Sequence, residues 1–185
     1  APEKDLMVET PTTDIQLGSL SLGGGSRIRF SEAGLDELQA VTVTIGNGGT
    51  LAAGGGISQL GDWDDDGDVT NLTLGDVTYN WTFGTEDDNY LEVAGDLMFN
   101  GLFFTLNVLP GGGSADGVDV ALFNVAQISG GSEDIALPFT TINLPDGWTS
   151  DGVLEHIGEF VYLKNLATTG VVVPGDANGD LKVDA

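Results

Sequence analysis

The chain has 185 residues, with 29 acidic side chains against 5 basic ones and a formal net charge of −24. A field this negative excludes nucleic acid and anionic membrane surfaces as partners, and Lys4, Arg27, Arg29, Lys164 and Lys182 are too scattered to track phosphates. Cysteine is absent, which excludes disulfides, thiolate metal sites and cysteine nucleophiles, while 41% apolar residues suffice for a core.

Residues 1–13 are polar and carry Pro2 and Pro11, so they read as an N-terminal extension before an all-β domain over 14–167. The chain opens Ala1-Pro2-Glu3, as a mature protein does after loss of a signal peptide, so an extracellular or cell-surface location is expected. No apolar run approaches the roughly 20 residues of a membrane helix, and no membrane insertion is expected. Arg27-Ile28-Arg29-Phe30 alternates cation and hydrophobe, which turns both arginines away from the core. Ser31–Leu38 has a helical look, with Ser31 as the N-cap before Glu32. Val41, Val43 and Ile45 then alternate with threonine, the period-2 pattern of a half-buried strand.

Gly61-Asp-Trp-Asp-Asp-Asp-Gly-Asp-Val-Thr70 is the most specific local feature. Asp62, Asp64 and Asp66 occupy positions 1, 3 and 5 of an Asp-x-Asp-x-Asp-Gly loop, with Gly67 at position 6. Calcium takes about 6–8 oxygens at roughly 2.3–2.6 Å, and a tight turn at that glycine aims the odd-numbered side chains inward. Asp68 would give its carbonyl and Thr70 would act at position 9. Position 12 is Thr73 rather than a bidentate acid, so a last ligand would come from elsewhere. A solvated acidic turn is the plain alternative, but so many adjacent carboxylates repel one another without a counter-ion.

Val77, Tyr79, Trp81 and Phe83 alternate with polar residues, and Leu102, Phe104, Leu106 and Val108 form one face of the strongest strand. Further strands are expected over Val118–Asn124, Phe139–Leu144 and Glu159–Leu166. Between them lie glycine turns such as Gly23-Gly24-Gly25, Asn47-Gly48-Gly49 and Gly111-Gly112-Gly113, where glycine supplies positive φ. The turn glycines Gly23, Gly46, Gly75 and Gly95 fall at intervals of 23, 29 and 20 residues, the scale of a solenoid coil. The fold expected is all-β, a right-handed β-helix or solenoid-like body, with an antiparallel β-sandwich of jelly-roll type as the alternative.

Leu20–Leu109, and Leu91–Leu109 above all, resembles the strand repeats of bacterial autotransporter-associated and planctomycete-type secreted surface proteins. That resemblance implies a right-handed β-helix in a structural protein of the cell surface. Gly175-Asp-Ala-Asn-Gly-Asp-Leu-Lys-Val-Asp184, within a tail over 168–185, resembles the first calcium loop of a type I dockerin. Asp176, Asn178 and Asp180 match positions 1, 3 and 5, Lys182 would supply a carbonyl, and Asp184 matches position 9. Leu181 replaces the position-6 glycine, and Ala185 precedes the position-12 acid, so the loop is half present.

Catalysis has little to stand on. The lone histidine, His156, reads as a surface strand residue, and neither a Gly-x-Ser-x-Gly elbow nor a phosphate-loop lysine occurs. The expectation is a non-catalytic, calcium-stabilised structural protein whose partners are further copies of itself, as a homo-oligomer or filament, or other cell-surface components. The alternative is a carbohydrate-binding module from a larger dockerin-bearing enzyme, with Trp63 and Trp148 in turns as platforms for polysaccharide.

Overall fold

The computed structural model describes residues 4–8, 16–30, 36–54, 58–61, 70–84, 90–125 and 137–168. Its strands begin with β1 (Lys4–Val8), β2 (Gln16–Leu22), β3 (Ser26–Phe30), β4 (Asp36–Ile45), β5 (Thr50–Gly54) and β6 (Ser58–Leu60). They continue with β7 (Asn71–Leu74), β8 (Val77–Phe83), β9 (Leu91–Val93), β10 (Leu97–Phe99) and β11 (Phe103–Pro110). The last five are β12 (Asp116–Val125), β13 (Phe139–Asn143), β14 (Trp148–Thr149), β15 (Leu154–Ile157) and β16 (Phe160–Thr168). The protein is all-β, and no helix occurs among the described residues.

One sheet has the order β1-β3-β5-β8-β11-β13, and every pair in it is parallel. The other follows β10-β7-β4-β6-β9-β12-β16-β14, with β2 beside β4 and β15 beside β16. Its pairs are parallel as far as β12, and the three made by β16 are antiparallel. Lys4–Val8, inside the stretch read as an extension, pairs with β3 over its whole length.

Parallel strands in register place like beside like, and the interior is built of such ladders. Ile28, Leu51, Tyr79 and Leu106 pair in succession across the six-stranded sheet, and all four are fully buried. Val43 with Leu72, Ile45 with Leu74, and Leu60 with Val93 continue the same device in the second sheet. Between the sheets Tyr79, Phe99, Phe104 and Phe123 form an aromatic cluster with ring centroids 5.0–6.5 Å apart. A phenylalanine lost from such a cluster costs about 3–5 kcal/mol through the cavity it leaves. Burial also pushes the Tyr79 phenol well above its ordinary pKa.

Glycine works at the corners by letting chains approach. A Cβ on Gly75 would stand 3.1 Å from the Gly46 carbonyl carbon, and one on Gly101 only 2.3 Å from that of Gly75. Gly46, in turn, packs on Leu22 and Gly23. Gly23, Gly46, Gly75 and Gly101 therefore stack at one corner. Gly95, expected to complete that series, belongs to a different corner, where it meets Thr70 and Asn71. Inserted loops of unequal length make sequence spacing a poor guide to which turns coincide.

Two local expectations change. Asp36–Leu38 pairs with Ser58–Leu60 as strand, so the helical reading fails there, while 31–35 lie outside the described residues. Here the ladder to β6 overrides a local capping signal. Leu102 is 68% exposed, because β11 starts at Phe103 and its inward face is Phe104, Leu106 and Val108.

Candidate functional site

Of the expected calcium ligands, Asp62, Asp64, Asp66 and Asp68 lie outside the described residues, as do Asp176, Asn178, Asp180, Lys182 and Asp184. Trp63 lies outside them too. The frame around the first loop is described. Before the loop, Gly61 is buried with φ +83°, a left-handed conformation that glycine adopts without strain. After it, Thr70 is fully buried, and its Oγ1 accepts the Ala40 N–H at 3.2 Å.

The two ends of segment 62–69 meet consecutive residues of the next turn. The Leu60 carbonyl accepts the Ala94 N–H at 2.8 Å, and the Thr70 carbonyl oxygen lies 2.6 Å from where a Gly95 Cβ would stand. Asn71 Oδ1 accepts the Asp96 N–H at 2.9 Å, and the Asp96 carbonyl accepts from Leu72 at 2.8 Å. The turn on one side crosses this corner as unbroken β4, and the turn on the other crosses it through Ala94-Gly95-Asp96 alone. The described residues on either side of 62–69 are thus bonded to one short stretch, Ala94–Asp96. Among the described residues, no group of three or more His, Cys, Asp or Glu side chains could hold a metal.

Acids elsewhere on the corners serve the backbone. Asp76 Oδ1 accepts from the Leu102 and Phe103 amides at 2.7 and 2.9 Å, and Asn47 Oδ1 accepts from Asp76 N–H at 2.9 Å. Each turn thereby caps the next. In the C-terminal region Lys164 bridges Asp119 and Glu155, the latter at 2.9 Å. The hydrogen bond from Lys164, then that from the Asn165 amide, holds the Asp119 carboxyl below the usual range. Bonds to Asp119 and Glu155 push the Lys164 ammonium above its own. Asn165 takes φ +52° here, with its N–H on Asp119 at 3.0 Å.

Trp148 is half-buried on β14, edge-on to Phe83 with centroids 5.9 Å apart. His156 sits half-buried on β15. Trp81 is fully buried beside Phe83.

The outward face of the six-stranded sheet carries an array that strand patterning alone passes over. Thr50, Thr78, Thr105 and Thr141 pair in succession to make one column. Asn80, Asn107 and Asn143 make the next, joined side chain to side chain: Asn143 Nδ2 donates to Asn107 Oδ1, and Asn107 Nδ2 to Asn80 Oδ1, both at 2.8 Å. Phe103 and Phe139 pair before the threonines, 60% and 78% exposed, with centroids 6.3 Å apart. The signal is in the sequence as Thr-x-Asn, at Thr78–Asn80, Thr105–Asn107 and Thr141–Asn143. No family model, no curated protein and no solved structure matches this chain.

Proposed function

We propose that this chain is a secreted, non-catalytic structural protein of the cell surface, stabilised by calcium, with a right-handed β-helix as its body. Parallel in-register pairing supports the β-helix, because an antiparallel sandwich would reverse direction between neighbouring strands. Ladder partners 27 and 36 residues apart fall within the roughly 20–45-residue repeat of solenoids. Right-handedness follows the rule for parallel crossovers. The resemblance to planctomycete-type surface proteins points the same way.

The observation that supports the calcium reading is that Leu60, before the loop, is hydrogen-bonded to Ala94 while Asn71 and Leu72, after it, are hydrogen-bonded to Asp96. Holding the flanks of an acidic segment removes part of its closure entropy in advance, so Asp62, Asp64 and Asp66 with the Asp68 carbonyl would bind a cation at lower entropic cost. Thr70 would contribute as the buried anchor of the loop. A second ion would sit at Asp176, Asn178 and Asp180, with the Lys182 carbonyl and Asp184. Thermal unfolding with calcium and with chelator tests this: the midpoint falls on chelation, and an unchanged midpoint contradicts it.

Self-association through terminal strands completes the proposal. Among the described residues, β1 and β13 end the six-stranded sheet with one neighbour each, and unpaired strand edges invite a second chain. Sedimentation in millimolar calcium should give oligomers or filaments, and a monomer would refute it.

A further inference from the structure

We infer that the outward face of the six-stranded sheet binds a neutral polysaccharide, laid across the strands over the threonine and asparagine columns. This is independent of the calcium reading and uses neither Trp63 nor Trp148.

Charge is the first argument. The chain carries −24, yet the outward positions of β5, β8, β11 and β13 hold only Thr, Asn, Ala, Gly, Phe and Leu. The charges on these rows begin one strand further on, at β3, with Arg27 beside Thr50 and Arg29 beside Ala52. Over those four strands an ionic ligand meets no charged side chain, whereas an uncharged polyhydroxyl chain docks there without losing ionic solvation.

Hydrogen-bonding capacity is the second. Asn107 spends one N–H on Asn80 and accepts one bond from Asn143, which leaves it one N–H and one acceptor site. The ladder fixes the amide orientation, so little side-chain entropy remains to be lost. Threonine hydroxyls, which both donate and accept, suit sugar hydroxyls equally well.

The third is the aromatic pair. Phe103 and Phe139 stand exposed side by side at the margin of the array, their rings tilted 34° to one another, and aromatic rings stack on the C–H face of pyranose rings. Neighbouring strands lie about 4.8 Å apart, close to the length of one sugar residue in an extended glycan. One sugar per strand therefore keeps successive rings in register with successive rows.

The test is retention of the whole chain on cellulose and chitin, with affinity electrophoresis in soluble mixed-linkage β-glucan and in polygalacturonate. At least one neutral polymer should retain the protein equally at low and high salt, and polygalacturonate should not. The double variant Phe103→Ala/Phe139→Ala and the variant Asn107→Asp should each weaken retention about tenfold or more. Met98→Ala, on the other sheet, should leave it unchanged. Circular dichroism keeps misfolded variants out of the comparison, and the Phe positions are exposed enough to tolerate alanine. Absence of retention on all three neutral polymers overturns the inference, as does retention indifferent to both variants. So does salt-sensitive binding to polygalacturonate. A change of oligomeric state in the Phe variants without polymer binding would instead make this face an interface between copies.

Discussion

The parallel body and the antiparallel C-terminal region solve the same packing problem by opposite means. In the parallel sheets residues of like kind meet across neighbouring strands and turns: Leu51 on Tyr79, Thr78 on Thr105, Gly75 on Gly101. Around β16 nothing repeats. Its pairing with β12 shifts register between Asp116 and Val118, between Val118 and Val120, and between Ala121 and Phe123. Left-handed residues, Asn165 and the glycines at 117, 152 and 158, carry its bends, and Lys164 ties Asp119 to Glu155. A parallel sheet leaves its last strand with an open edge that needs cover. β16 supplies it by pairing with β12 as a strand running the other way.

That contrast can be broken most severely at Phe104, where the aromatic cluster joins both sheets. Phe104→Ala should lower stability by about 3–5 kcal/mol in urea unfolding. Glycines of the two regions give the next test. Gly101→Ala drives a Cβ into backbone and should cost about 1–3 kcal/mol. Gly152→Ala, with open space but φ +69°, should cost about 1–2 kcal/mol from backbone conformation alone. Equal space-dependence at both sites, probed with larger residues, would contradict the distinction between close approach and left-handed turn.

Asn107→Ala leaves the Asn80 and Asn143 amides without their ladder partner, and about 1 kcal/mol should be lost. The smallest effect belongs to the exposed ion pair, where solvent screens the charges. Asp119 has its carboxyl depressed by Lys164, so its contribution is present above the unfolded carboxyl range and disappears as pH falls through the folded value. Lys164, raised, contributes fully below its unfolded value and loses that as pH rises through the folded one. Lys164→Met should therefore flatten the acid limb of a stability–pH curve, and an unaltered limb would remove the pair from the account.

Much of the body is legible in the sequence because alternation and burial share a cause. Val77, Tyr79, Trp81 and Phe83 all point inward, as their spacing predicts, and Ile28 is buried between outward arginines. What resists reading is the match between turns. Gly101 takes the corner position that spacing assigns to Gly95, because spacing counts residues while stacking compares places. The start of β4 is set by distant β6, which no local window contains. The acidic loop is visible as Asp-x-Asp-x-Asp-Gly, but the bonds of its flanking residues to Ala94 and Asp96 depend on chain that follows. The Thr-x-Asn face is visible as well, though only once the three occurrences are known to be neighbours.

Hydrogen exchange with and without calcium tests the central claim most directly. The reporters are the Ala40, Leu72 and Ala94 amides, which bond to Thr70 Oγ1, the Asp96 carbonyl and the Leu60 carbonyl at the loop corner. Lys164 and Thr168, bonded to the Val153 and Ala115 carbonyls, report on the C-terminal region. If the loop holds calcium, exchange at the corner slows in proportion to calcium above its Kd, and more than in the C-terminal region. Corner amides that exchange at the same rate in calcium and in chelator would contradict the account.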